Sequence, residues 1–202
     1  MYSAALILLA ALILPACSHV GVIEETQTAG QEPPPVSSET TRRFQEALAF
    51  IEAEEYHRAE AVLLEIIAAS PTLAGPYLNL GMIYAATDRD AKARLAFGRA
   101  IELKPHNAAA YNEMGILYRK DGDFAAARAA YEQALLIAPD YALAHRNLGI
   151  LYDLYLRQPQ RALAHYQRYQ DLLGTRDRQV GLWITELNKR VERNRKIARS
   201  EP

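Results

Sequence analysis

The chain has 202 residues, of which 50% are apolar and 23% are charged. This composition is typical of one globular domain with a hydrophobic core, and it excludes a wholly disordered chain. The 23 basic and 24 acidic side chains nearly cancel, so no chain-wide electrostatic field favours binding to nucleic acid. The single cysteine, Cys17, excludes an intramolecular disulfide and a cysteine-based zinc or iron–sulfur site.

The N-terminus has the pattern of a targeting segment. Residues 4–14 are almost entirely alanine, leucine and isoleucine, a run too short to cross about 30 Å of hydrocarbon but suited to the core of a signal peptide. The sequence Leu14-Pro15-Ala16-Cys17 that follows resembles the lipobox of bacterial lipoproteins. That resemblance implies a signal peptide over residues 1–16, cleavage before Cys17 and a diacylglyceryl thioether on its sulfur.

The residue after the cysteine is Ser18, whereas lipoproteins kept at the inner membrane often carry aspartate there. The resemblance therefore implies an outer-membrane lipoprotein that faces the periplasm. Ordinary secretory cleavage, an uncleaved anchor at the inner membrane and an unmodified thiol remain alternatives.

Residues 17–39 lack apolar periodicity and contain three consecutive prolines, Pro33 to Pro35. Such a segment cannot bury enough surface to order itself, so we predict a flexible linker after the lipidated cysteine. A linker of this length has a root-mean-square span of roughly 25 Å. The alternative is a tail with no role.

A 34-residue period dominates the rest of the chain. Gly81, Gly115 and Gly149 follow this period, and a tyrosine lies three residues after each of them. Two further sets have the same spacing, namely Pro71, Pro105 and Pro139, and Ala59, Ala93 and Ala127. The pattern is similar to that of the tetratricopeptide repeat family, which implies an all-α helical solenoid in which each repeat is a pair of antiparallel helices. In such a pair we expect Gly81 to lie where the two backbones approach most closely.

The period divides the chain into four repeats over residues 40–174. Their predicted bounds are 40–73, 74–107, 108–141 and 142–174. In the fourth repeat the alanine of the period, Ala162, comes one residue late and close to Pro159, which predicts a lengthened turn between its two helices.

Residues 175–202 are predicted to form a C-terminal capping helix with a basic tail. Asp177 is a candidate N-cap, and the apolar positions that follow it have helical spacing. The basic side chains are Lys189, Arg190, Arg193, Arg195, Lys196 and Arg199. They indicate either a solvated helix face or contact with an acidic partner or lipid headgroups.

The sequence offers no pattern for catalysis. Asp121 and Asp123 resemble part of a calcium loop, but its other ligands are missing, and Asp123 suits a helix N-cap better. The five histidines have no metal-binding spacing, and phosphate loops and nucleophile motifs are missing from the sequence. We therefore predict no catalytic residue, no metal, no cofactor and no small-molecule substrate.

The resemblance also implies where a partner would bind. If the tyrosines after the glycines face the second helix, the opposite face of each first helix lines the concave wall of the solenoid. We call this face the predicted wall, and it consists of Phe44, Leu48, Leu78, Asn79, Met82, Asn112, Glu113, Ile116, Arg119, Arg146, Asn147, Ile150 and Asp153. Its asparagines could bind the backbone of an extended peptide while its apolar residues contact the side chains. Binding to the convex side or to an edge is the alternative.

Some tetratricopeptide repeat proteins hold the terminal carboxylate of a partner with basic and asparagine side chains on this wall. Asn79 fits one of those positions, but Phe44, Leu48, Ala109 and Glu113 occupy the others. We therefore do not expect a complete clamp of that kind.

Lipobox and repeats together predict a non-catalytic interaction scaffold or adaptor, lipid-anchored in the bacterial envelope, that binds a protein or peptide segment on the predicted wall. Two more specific functions remain open. One is a pilotin-like chaperone for secretin and type IV pilus assembly, and the other is an adaptor for envelope hydrolases.

Overall fold

The computed structural model of the chain describes residues 36–200, apart from the side chains of residues 198 and 200. Within that range the chain forms α-helices and one π-helical segment, and it has no strand. The predicted all-α helical solenoid is therefore confirmed. The predicted signal peptide, Cys17 and the linker up to residue 35 lie outside the described residues.

Four helix pairs and one final helix follow each other along the chain. The helices are α1 (Ser38–Glu52), α2 (Tyr56–Ala69), α3 (Ala74–Ala86), α4 (Asp90–Leu103), α5 (Ala108–Lys120), α6 (Phe124–Ile137), α7 (Ala142–Ile150), α8 (Pro159–Leu173) and α9 (Arg178–Ser200), and the π-helical segment Leu151–Tyr155 extends α7. The helices of each pair contact each other, and each pair contacts the next. The first helix begins two residues earlier than the predicted first repeat.

Several helices begin at a side chain that satisfies a free backbone amide. The side-chain oxygens of Ser37, Asn107, Asp123 and Asp177 accept hydrogen bonds of 2.9 to 3.2 Å from amides two or three residues further on. These bonds are N-caps, which replace hydrogen bonds that the first turn of a helix cannot make within itself. The predicted caps at Asp123 and Asp177 are confirmed.

An aromatic ring lies against the glycine of each of the last three pairs. A Cβ atom on Gly115 would be 2.6 Å from Cε1 of Tyr131, and one on Gly81 or Gly149 would be 2.5 Å from the ring of Phe97 or Tyr166. All three rings are buried. The expected reason for the glycine was close approach of two backbones, and the structure corrects it: the glycine leaves room for a ring from the second helix.

The fourth pair contains one more residue than the others, and the structure places it inside the first helix. In the third pair the amide of Asp123 donates to the carbonyl of Tyr118, five residues earlier. In the fourth pair the amide of Gln158 donates to the carbonyl of Tyr152, six residues earlier. The segment Leu151–Tyr155 is π-helical, and the turn after it keeps three residues. The predicted lengthened turn is therefore wrong, because a wider helical turn takes up the extra residue.

The turns between paired helices confirm this register. Each contains one residue with a positive φ angle, at Glu54 (57°), Asp88 (54°), Gly122 (82°) and Arg157 (53°). Successive residues of this set are 34, 34 and 35 residues apart. The first two intervals equal the period of the sequence, and the third is longer by the one residue inserted before Arg157. Of these four residues, only Gly122 adopts this backbone conformation without steric cost.

The last helix, α9, packs against α8 and covers the C-terminal end of the stack. Val180, Leu187 and Val191 are buried in this interface, and the ring centroids of Trp183 and Tyr166 are 5.4 Å apart. The preceding helix ends at Gly174, whose φ of 65° lets the chain reverse. The exposed part of α9 beyond Val191 carries most of the predicted basic tail.

The ring-against-glycine contact predicts opposite effects for two alanine substitutions. Gly115→Ala should lower the free energy of unfolding by about 1–3 kcal/mol, since the new methyl group overlaps the ring of Tyr131. Gly98→Ala, in the middle of α4, is the matched control, because no atom lies within 4 Å of the new Cβ. The control should gain about 0.5–1 kcal/mol from the better helix propensity of alanine. Denaturant unfolding measures both changes, and a Gly115→Ala variant that gains as much stability as the control would contradict the packing argument.

Candidate protein-binding surface

The first helices of successive pairs lie side by side. Helix α3 contacts α5, and α5 contacts α7. At the N-terminal end, the ring of Phe44 in α1 would be 3.4 Å from a Cβ atom on Gly75 in α3. Side chains on the free faces of these helices can therefore form one continuous surface.

The N-terminal part of the predicted wall is mainly apolar. Phe44 lines an apolar cavity of about 320 Å³ together with residues at the start of α3. Leu48 and Leu78 are half-buried, and Met82 is 41% exposed. Asn79 donates from Nδ2 to the carbonyl of Gly75 in its own helix, at 3.0 Å. This part of the wall offers apolar contact surface rather than free amide groups.

The central part of the predicted wall is a chain of buried polar groups. Nδ2 of Asn147 in α7 donates to Oδ1 of Asn112 in α5 at 2.9 Å, and Nδ2 of Asn112 donates to Oε1 of Glu113 at 3.0 Å. Asn112 is 1% exposed and Asn147 is 7% exposed. The expectation that Asn112 offers its side-chain amide to a bound peptide is therefore wrong. Its oxygen accepts the hydrogen bond from Asn147, which joins α5 to α7, and its nitrogen donates to Glu113.

The carboxylate of Glu113 ends this chain of hydrogen bonds. Burial raises the pKa of Glu113, and the hydrogen bond from Asn112 opposes part of that effect. Among the described residues, no basic side chain forms an ion pair with it. A half-buried carboxylate without a paired cation costs stability, and the hydrogen bond from Asn112 offsets part of that cost.

The C-terminal part of the predicted wall carries arginines beside aromatic rings. Nε of Arg119 donates to the hydroxyl of Tyr131 at 3.4 Å, and its guanidinium carbon lies 5.9 Å from the ring centre of Tyr155. The guanidinium carbon of Arg146 lies 5.9 Å from the ring centre of Trp183 in α9.

Two isoleucines lie on the same helix faces as these arginines. Ile116 is three residues before Arg119, and Ile150 is four residues after Arg146. Both are half-buried against the core. Asp153, the last residue of the predicted wall, is 12% exposed at its side chain and forms an ion pair with Arg190 of α9.

Five residues beside the wall are missing from the prediction: Tyr131, Tyr155, Tyr166, Trp183 and Arg190. The ring of Tyr131 lies in the contact between paired helices, yet its hydroxyl reaches Arg119 on the wall. Burial raises the pKa of both phenols, so they remain protonated donors at neutral pH. Trp183 and Arg190 lie in α9, outside the repeat period, so no spacing rule could place them.

Two histidines form a closed pair on the other side of α7. Nδ1 of His145 and Nδ1 of His165 are 3.0 Å apart, and Nε2 of His145 lies 3.0 Å from the carbonyl oxygen of Pro139. Burial and the neighbouring His145 and Arg161 lower the pKa of His165 to about 4, so that ring is neutral at physiological pH. Three of the four ring nitrogens take part in these hydrogen bonds, and residues 36–200 contain no group of three or more metal-ligating side chains.

The described helices also include none that is both long enough and apolar enough to cross a membrane.

This geometry defines a class of protein: a solenoid of helix pairs whose first helices line a continuous wall. Family models of the tetratricopeptide repeat match residues 74–107 and 106–173. The chain belongs to the tetratricopeptide repeat family, whose members are typically non-catalytic modules for protein–protein interaction. No curated protein has a significantly similar sequence.

Several solved structures have the same fold. A Pseudomonas aeruginosa protein, pilF, superimposes with a TM-score of 0.69 at 17% identity, over 76% of this chain and 69% of that chain. A thermophilic tetratricopeptide repeat protein of Thermus thermophilus gives 0.63 at 20% identity, over 73% of this chain and 80% of that one. The first tetratricopeptide repeat domain of Spaghetti (RPAP3), bound to an HSP90 peptide, gives 0.55 at 16% identity, over 59% and 93%. At these identities the likeness concerns the fold alone.

Proposed function

We propose that the chain is a non-catalytic scaffold that holds a segment of a protein partner against the predicted wall. The observation that carries this proposal is the wall itself: adjacent first helices present an apolar end, a buried polar centre and an arginine-rich end on one surface. A partner segment that lies across it would contact several repeats at once. The peptide-bound relative, RPAP3, is consistent with this use of the fold.

The buried amides limit how a partner can bind. Because Asn112 and Asn147 bond to each other, a peptide must be recognised by apolar side chains and by the arginines rather than by an asparagine ladder. Met82, which is 41% exposed, is the most accessible apolar residue of the N-terminal part. We propose that this part of the wall takes apolar side chains of the partner.

Site-specific crosslinking tests the position of the partner. A photoreactive amino acid at position 82 should crosslink to a partner protein in cells, because this position lies on the wall. The same amino acid at position 95 is the matched control, since Leu95 is 77% exposed in the second helix of the same pair. We expect a discrete crosslinked band at position 82 and none at position 95. The same band from position 95 alone would place the partner on the opposite side and contradict the proposal.

We also propose that the scaffold is an outer-membrane lipoprotein facing the periplasm, anchored through Cys17. The support is the lipobox-like sequence and the flexible linker predicted behind it. Each buried methylene of an acyl chain contributes about 0.8 kcal/mol to membrane binding, and stable anchoring takes more than one chain.

The anchor has a direct test. The wild-type protein should fractionate with membranes, and its N-terminal peptide should begin at Cys17 and carry the mass of a lipid. Cys17→Ala should abolish this lipid mass and prevent cleavage by the lipoprotein signal peptidase, whereas the Ser18→Ala control should retain both. An N-terminal peptide of the wild-type protein without lipid would contradict the proposal.

A pilotin-like chaperone is the second candidate function. The lipobox-like sequence before the repeats supports this candidate, and pilF of Pseudomonas aeruginosa has the same fold over 76% of this chain. An envelope-hydrolase adaptor is the other finer possibility. The partner crosslinked at position 82 separates them, since a secretin subunit supports the chaperone and a cell-wall hydrolase supports the adaptor.

A further inference from the structure

Four charged side chains from four elements of the fold influence the pKa of the Tyr166 hydroxyl. They are Arg119 of α5, Arg146 of α7, Asp153 of the π-helical segment and Arg190 of α9. The ring of Trp183 joins two of these groups by contact, because it packs against Tyr166 and also lies beside the guanidinium group of Arg146. Because most of these residues lie far apart in the sequence, only the stacking of the last two pairs and α9 brings them together. We call these four residues the arginine cluster.

The cluster holds more positive than negative charge. Asp153 is paired with Arg190. Arg119 has a tyrosine hydroxyl as its hydrogen-bond acceptor. Neither Arg119 nor Arg146 forms an ion pair with any carboxylate in the part of the chain that the structure describes. Two guanidinium groups therefore have no carboxylate in direct contact, while the charge of Asp177 acts on Arg146 from a greater distance.

Arg146 also has an unsatisfied donor. Its Nε atom is buried and has no hydrogen-bond acceptor among the described residues. The ring of Trp183 lies on one side of the guanidinium group, and the side chain as a whole is half-buried. A partly desolvated cation with a free donor gains more from an incoming carboxylate than an arginine in water does, because the surrounding dielectric is lower and the donor's missing bond is supplied.

We propose that Arg119 and Arg146 bind acidic side chains of the partner segment, so that the segment contains glutamate or aspartate next to apolar residues. This inference rests on the proposed function and names the chemistry of its partner. The guanidinium group suits a carboxylate because its donors form a planar fork. The apolar neighbours, Ile116 and Ile150, lie on the same helix faces as the two arginines and would contact the adjacent side chains of the segment.

The shape of the site favours a peptide over a membrane. Arg146 is half-buried beside Trp183 of α9, so a flat bilayer surface has less access to its guanidinium group than a narrow segment has. A narrow, flexible segment can enter between these elements. The exposed arginines and lysine beyond Val191 are the better candidates for contact with lipid headgroups.

The site differs from the carboxylate clamp considered from the sequence. That arrangement would use positions 44, 48, 79, 109 and 113, of which only Asn79 has a suitable side chain. The arginine cluster lies in the last two pairs and α9, and it includes a residue outside the repeats. We therefore expect the arginine cluster to bind the side-chain carboxylate of a residue within a segment, and it does not require the terminal carboxylate of a chain.

Peptide binding to the full-length protein tests the inference. The probe is a short fluorescent peptide of alternating glutamate and apolar residues, and its control carries glutamine in place of glutamate. We expect binding of the glutamate peptide that weakens as salt is added. Arg146→Gln should weaken this binding about tenfold or more, since a charge-assisted hydrogen bond is lost. Arg128→Gln removes the same charge from the exposed surface of α6 and should leave affinity unchanged.

Two further arms make the outcome decisive. Arg119→Lys keeps the charge but loses the planar fork, so we expect an intermediate loss of affinity, while circular dichroism checks that each variant is folded. Equal binding of the glutamine peptide, an equal loss in Arg128→Gln, or no peptide binding at all would overturn the inference. Binding to phosphatidylglycerol vesicles that depends on Arg146, without peptide binding, would also overturn it. The crosslink at position 82 is independent of these results, so a partner captured there would leave the proposed function standing.

Discussion

The fold depends on one contact that recurs in the last three helix pairs: an aromatic ring of the second helix lies where the glycine of the first helix has no side chain. At Gly81, Gly115 and Gly149 a Cβ atom would overlap the ring. The contact fixes the rotation of the first helix about its axis, because only one face carries the glycine. The opposite face is then free to line the wall, so packing inside each pair determines which residues a partner can meet.

The fourth pair shows how strongly this contact constrains the chain. It carries one extra residue, yet Gly149 still lies against the ring of Tyr166. The insertion is taken up by the π-helical segment after the contact, where Asp153 and the exposed Leu154 lie. This segment contributes Asp153 to the arginine cluster, in keeping with the frequent occurrence of π-helical turns at functional sites. The insertion therefore leaves the packing of the helix pair unchanged and changes the surface that the wall presents.

The sequence predicts the repeat fold well because the same residue types recur at the same packing positions every 34 residues. Gly115 and Ala127 indicate the helix pair, and Asp123 and Asp177 indicate helix starts. The same reasoning fails where an interaction joins residues of different periods. Nothing in the spacing indicates that Asn112 and Asn147 bond to each other, that the extra residue before Pro159 widens a helix, or that Arg190 of α9 reaches Asp153. The two contacts depend on how stacked pairs are oriented, and the wider turn depends on keeping Gly149 against Tyr166; local patterns encode neither.

We expect a partner to lie along the wall formed by the first helices. Amide hydrogen exchange of the full-length protein, compared with and without the partner identified by crosslinking, tests it most directly. We expect slower exchange in α3, α5 and α7 and in the π-helical segment, with α4 and α6 unchanged, since partner contacts suppress local opening. Slower exchange confined to α2, α4 and α6 would contradict it, because those helices lie on the other side of each pair.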